Sequence, residues 1–173
     1  MDEIQIVALS RENMSEYSLD HFVRKQTVSW VYLNKGGKYR LEEHPFIDDW
    51  TLSRKREKAL ELISGELVSF GAFLEDEIIG FIGLKRTLYG ERMIVDTMHV
   101  SAPYRGRGVG RKLFQQAISE AKKCEAKELY ISACFSKETI AFYRAMGAEL
   151  AKEPIAEIAA EYPADLQMIC HIS

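Results

Sequence analysis

Residues 100–114, VSAPYRGRGVGRKLF, set Gly106, Gly108 and Gly110 at alternate positions among Arg105, Arg107 and Arg111. A solvated turn needs one glycine, so three suggest backbone that something approaches closely. The stretch joins an apolar run to a segment with helical periodicity, and Val109 opens that segment. A helix start presents unpaired N–H groups and about half a positive charge, which suits an oxyanion, typically phosphate, lying against the backbone. Two known phosphate loops do not fit. The P-loop requires Gly-Lys-Ser/Thr, and the dinucleotide fingerprint requires glycine where Arg111 stands. An exposed glycine-arginine turn is the plain alternative.

Other residues able to do chemistry are sparse. Asp96 is the one carboxylate in the apolar run MIVDTMHV; it is either a working acid or base or the partner of an arginine at a wet strand edge. Glu42, Glu43, Asp48 and Asp49 lie close together beside Phe46 and Trp50 in the stretch EEHPFIDDW. That composition suits an amine carrying positive charge on an apolar or sugar body, and it equally suits an exposed acidic loop. Tyr143 follows Phe142 in a helical pattern, where an aromatic is usually core. His21, His44, His99 and His171 are scattered without ligand spacing, so no metal is expected.

The elements that must position these groups follow from periodicity. Residues 3–9 read as a first strand and 11–25 as a helical segment. The stretch TVSWVYLNKGGKYRLEE reads as a hairpin around Asn34-Lys35-Gly36-Gly37, followed by a loop, HPFIDDW. A helix begins at Thr51 and ends at Gly65. Two antiparallel strands turn at Glu75-Asp76-Glu77, and RMIVDTMHV is the next strand. After the glycine loop come a helix, the strand ELYISAC, the helix SKETIAFYRAM stopped by Gly147, and a closing strand, DLQMICHI. This order gives an α/β domain with a mixed, mostly antiparallel central sheet flanked by helices.

Bulk properties bound the function. The 173 residues suffice for one domain with its own core. No apolar run approaches the roughly 20 residues of a membrane span, so no membrane partner is expected. The N-terminus lacks the basic-then-apolar order of a secretory signal, and Cys124, Cys134 and Cys170 are odd in number and widely spaced. A cytoplasmic location with reduced thiols is therefore expected. The net charge of −3 disfavours a dedicated nucleic-acid binder, the basic loop being a local exception.

The residues carrying the loop resemble the GNAT superfamily of acyl-CoA-dependent N-acyltransferases. Its signature, Arg/Gln-x-x-Gly-x-Gly/Ala, is met by Arg105-Gly106-Arg107-Gly108-Val109-Gly110, and SKETIAFYRAMGAEL resembles a second family element about thirty residues on. The resemblance covers residues 66–152. It implies a single domain over 1–173, with an acceptor-binding part at 1–65, an acetyl-CoA-binding core at 66–152 and a closing strand at 153–173. It also implies direct transfer of an acetyl group from acetyl-CoA to a primary amine, on a small molecule or a peptide.

Cofactor contacts are implied for the loop from Arg105 to Arg111, which includes Arg107, for the backbone of Met98, His99 and Val100, and for Ser136 and Tyr143. Many family members have asparagine where this chain has Ser136. Tyr143 is implied as the proton donor to the departing thiolate and Asp96 is the candidate base, with Asp48, Asp49 and Trp50 on the acceptor side. A CoA-binding sensor without catalysis and a nucleic-acid phosphate-binding module are the alternatives, and a homodimer is left open.

Overall fold

The computed structural model describes residues 2–173. A seven-stranded sheet has the order β1-β4-β5-β6-β7-β9-β8, formed by β1 (Gln5–Ala8), β4 (Leu67–Leu74), β5 (Glu77–Lys85), β6 (Arg92–Val100), β7 (Glu128–Ala133), β8 (Glu149–Leu150) and β9 (Leu166–His171). Every pairing is antiparallel except β6 with β7, which needs the crossover helix α2 (Val109–Lys123). Strands β2 (Lys25–Lys35) and β3 (Lys38–Asp49) form a separate hairpin turning at Gly36 and Gly37, whose φ angles are 63° and 89°. The mixed, mostly antiparallel sheet flanked by helices agrees with the sequence reading.

β5 is buried along seven of its nine residues because helices cover both faces of the sheet. On one face, α1 (Leu52–Leu62) packs Ala59 and Leu62 against Ile78 and Phe81. On the other, α2 buries Val109, Leu113, Phe114, Ala117 and Ala121 over Ile79, Ile82 and Leu84. Thr51 caps α1 by accepting from the Arg54 amide, and Ser136 caps α3 (Lys137–Ala145) by accepting from the Thr139 amide. No helix among the described residues is long and apolar enough to cross a membrane.

Three expectations are corrected. Residues 11–25 are turns and irregular chain leading into β2 at Lys25 rather than a helix, although Met14, Leu19 and Phe22 are buried. Local polar side chains capture the backbone there: Ser10 N donates to Asn13 Oδ1, Ser15 N to Ser18 Oγ, and Tyr17 N to Ser15 Oγ. The stretch HPFIDDW, expected as a loop, is largely strand, since β3 runs to Asp49. Pro45 is tolerated because the register shifts there, Val28 facing Phe46 while Trp30 faces Glu43, so no ladder N–H is required at the proline. Residues 153–173 hold a short helix, α4 (Ala156–Glu161), as well as the closing strand.

The start of α4 is fixed by a buried relay. Ile155 N donates to Tyr130 Oη, which donates to Gln167 Oε1; Gln167 Nε2 then donates to Ser132 Oγ, which donates to Asp165 Oδ2. Tyr130→Phe removes the phenol that both accepts and donates, leaving a buried N–H and a buried amide oxygen unmatched. Denaturant unfolding should show a loss of about 1–3 kcal/mol, and unchanged stability would mean that the relay does not hold α4.

Candidate active site

Strands β6 and β7 pair only from Arg92–Glu128 to Val95–Ile131. Beyond that point they part. β6 stays on β5 as far as Val100, while the continuation of β7 is drawn to the hairpin, where Tyr32 N donates to Phe135 O at 2.8 Å and Val31 bridges Ser136. Segment 23–26 spans the gap. Val23 N donates to Ser101 Oγ at 2.9 Å, Ala102 N donates to Val23 O at 2.9 Å, and Gln26 Nε2 donates to Ser136 Oγ at 3.0 Å. The β7-facing edge of β6 past Val95 is thus left without a strand partner, at a place where another extended chain can pair with it.

The glycine loop lies at one end of this edge. Gly106 and Gly108 have φ of 76° and 81°, which β-carbon-bearing residues rarely adopt, and a Cβ built at either meets nothing within 4 Å. Gly110 serves a different purpose. A Cβ there would lie 3.0 Å from Phe142 Cε2, so the glycine lets α2 approach α3. Among the described residues, the amides of 106–111 have no protein acceptor, Lys112 N to Gly108 O being the first helical bond. With no acid in its first turn, α2 points its positive end at open space. The arginines divide their work. Arg105 is a staple, donating to Val100 O at 3.1 Å and Lys25 O at 2.8 Å, and Arg107 stacks over Tyr104. Arg111 lines the cavity.

Two cavities flank the split. One, of about 630 Å³, is bounded by the glycine loop, the end of β6 and α3. The other, of about 510 Å³, lies between α1, β6, β7 and the region of α4. They share Arg24, Gln26, Met98, His99, Thr139 and Tyr143. A group held in one cavity therefore meets a group held in the other at these residues.

Three titratable groups beside the junction, Tyr143, His99 and Asp165, have perturbed protonation. Burial, reinforced by Cys134 and Asp165, raises Tyr143 well above an ordinary phenol, so it is protonated at neutral pH. His99 is driven well below the usual imidazole value by burial and by Arg24, Lys58, Arg105 and Arg54. Its Nδ1 accepts from Arg24 Nε at 2.9 Å, which leaves the proton of the neutral ring on Nε2. Asp165 is raised by burial, against the hydrogen bond from Ser132. Asp96 is the one exposed residue of β6 because it is the extra residue of a bulge, Gly83 facing Thr97 and Leu84 facing Val95; the bulge turns its side chain into the second cavity.

Most of the residues expected from sequence meet here. Met98, His99, Val100, Gly106, Gly108, Val109, Gly110, Arg111 and Tyr143 line the first cavity, and Asp96 and Trp50 line the second. Ser136 does not reach either: it is fully buried, bonded to Gln26 and Thr139 as the α3 cap. Asp48 is paired with Arg24 Nη2 at 3.3 Å, and neither it nor Asp49 lines a cavity. The second cavity is lined by residues of α1, β6, β7 and the α4 region. Reading the sequence missed Arg24, which sat in a segment expected to be helical, and Asp165, whose placement depends on the Ser132 contact.

Residues 37–148 match the family model described as the acetyltransferase (GNAT) family. No curated protein matches the chain. Among solved structures, a nourseothricin acetyltransferase superposes with a TM-score of 0.77 at 18% identity, covering 98% of this chain and 99% of that one. A Bacillus anthracis protein assigned as a streptothricin acetyltransferase, in complex with acetyl coenzyme A, gives 0.73 at 18% identity over 99% of each chain. The ribosomal-protein-S18-alanine N-acetyltransferase of Escherichia coli gives 0.63 at 14% identity, covering 99% of this chain and 95% of that one. At these identities the likeness is one of fold.

The Arg24–His99 contact has a direct spectroscopic signature. ¹⁵N NMR should find His99 neutral, with its proton on Nε2, from pH 8 down to pH 6, where an imidazole of pKa about 6.5 would be mostly charged. Arg24→Gln removes a neighbouring cation and should raise the midpoint. A midpoint near the ordinary value in the parent protein would contradict the contact.

Proposed function

This chain belongs to the acetyltransferase (GNAT) family, and we propose that acetyl-CoA occupies the cavity beside the glycine loop and passes its acetyl group directly to a primary amine in the cavity beyond the split. The observation that carries this is the meeting of the two cavities at an unpaired strand edge, next to a run of unpartnered amides at a helix start. The amides of 106–111 and Arg111 suit a pyrophosphate. The edge at Met98–Val100 suits an extended pantetheine, whose amides would pair there as a strand's do. The acetyl thioester supplies the activated carbonyl, and the chain's own residues supply the rest.

An alkylammonium of pKa about 10.4 is mostly protonated at pH 7, so freeing its lone pair costs about 4–5 kcal/mol. Asp96 and Asp165 line the acceptor side and are the groups placed to take that proton onward to solvent. As the nitrogen–carbon bond forms and the carbon–sulfur bond breaks, negative charge collects on sulfur. Tyr143 is protonated and lines both cavities, so it can donate a hydrogen bond to that sulfur. Because burial has raised its pKa, full transfer of its proton to a thiolate of pKa about 8.5 would be uphill. Tyr143 therefore acts as a charge-stabilising donor rather than as a strong acid. The acceptor is a small-molecule or peptide amine.

Two variants separate binding from transfer. Gly108→Glu puts a carboxylate at the helix start and should abolish acetyl-CoA binding by calorimetry; binding as tight as the parent's would reduce the loop to a turn. Tyr143→Phe should keep acetyl-CoA affinity within a few-fold while lowering kcat for thiol release by roughly 10- to 100-fold, the scale of one lost hydrogen bond to a developing charge. Unchanged turnover would return Tyr143 to a packing role.

A further inference from the structure

The acceptor cavity is electrically two-sided. Arg24, Arg54 and the Lys58–Glu61 pair stand on the side of β2 and α1, with Lys85 at the end of β5, and Asp96, Glu161 and Asp165 stand on the side of β6 and α4. Lys58 is neutralised by Glu61. Arg24 is not fully matched. It is 6% exposed and stacked over Trp50; its Nε bonds the neutral His99, its Nη2 reaches the half-exposed Asp48 at 3.3 Å, and its Nη1 has no partner. A buried guanidinium with an idle arm and a neutral neighbour is costly unless an anion completes it. Arg24 also lines both cavities, so that anion belongs at the point of transfer.

We propose that the acceptor is an amino acid, a primary amine that carries a carboxylate, and that Arg24 binds the carboxylate. This rests on the acetyl-transfer reading above and narrows it. The amine faces Asp96 and Asp165, as the transfer requires, while the carboxylate faces Arg24 and completes its hydrogen bonding. Because Arg24 lines both cavities, an anion bound to it stands at their junction, on the same side of the acceptor as the reacting amine. A purely cationic amine fits poorly beside Arg24, since Asp48, the carboxylate nearest to Arg24, is already engaged.

The test assays thiol release from acetyl-CoA with each standard amino acid and β-alanine, paired with the corresponding carboxamide. At least one amino acid should be acetylated with a kcat/KM about 10²-fold or more above that of its amide, because loss of the carboxylate leaves a buried charge unmatched. Arg24→Gln should bring that ratio close to one, and Arg24→Lys should recover part of it. A folding defect slows acid and amide alike, so the ratio within one variant reports binding of the carboxylate. If Arg24→Gln does not fold, Arg24→Lys carries the test: it keeps the charge but loses the planar fork that a carboxylate needs, and should lower the ratio several-fold. Amides used as well as acids, no amino acid acetylated, or a ratio indifferent to these substitutions each overturn the proposal. Acetyl-CoA affinity, measured separately by calorimetry on the same proteins, shows whether the cofactor reading stands when the acceptor proposal falls.

Discussion

The site depends on two neighbouring parallel strands being kept apart. Parallel strands zip together wherever their backbones can pair, and β6 and β7 do so until Val95 and Ile131. They separate because the next residues of each strand have stronger claims elsewhere: β6 is held by β5, and Phe135 and Ser136 are held by the hairpin. Segment 23–26 then ties both banks to each other without closing the gap, through Ser101 on one side and Ser136 on the other. Everything that follows, the free edge, the two cavities and the groups at their junction, is a consequence of that division.

The division also explains the unusual electrostatics. A segment that bridges the gap must place side chains in it, and Arg24 is the buried charged one, Lys25 being exposed. His99 is kept neutral first by its own burial and then by the Arg24 charge beside it, and the guanidinium, buried against Trp50, is left incompletely bonded. On the opposite wall, the relay from Ile155 through Tyr130, Gln167 and Ser132 to Asp165 fixes a carboxylate whose affinity for a proton is raised by burial. Both walls retain desolvated charge that a fold built for stability alone would remove, as expected where binding sets the residue choice.

Legibility in the sequence followed the range of the interactions. The glycine loop was readable because positive φ at Gly106 and Gly108 and the helix start at Val109 are local properties. The meander β4 to β6 and the helices α1, α2 and α3 were readable from periodicity. Residues 11–25 misled because their apolar spacing is real, Met14, Leu19 and Phe22 being core, while serine and asparagine side chains capture the backbone needed for a helix. Arg24 and Ser136 could not be placed, since their partners lie 75 and 110 residues away along the chain. The acidic stretch at Asp48 and Asp49 looked like a cation site because its principal partner, Arg24, was invisible from that stretch alone.

Amide hydrogen–deuterium exchange with and without acetyl-CoA tests most directly whether the divided strands and the helix start form one cofactor site. Protection should appear together at the Met98–Val100 edge and across 106–111, with the hairpin tip at Gly36 and Gly37 unchanged. Protection of the loop without the β6 edge, or of neither, would contradict a site built on the split.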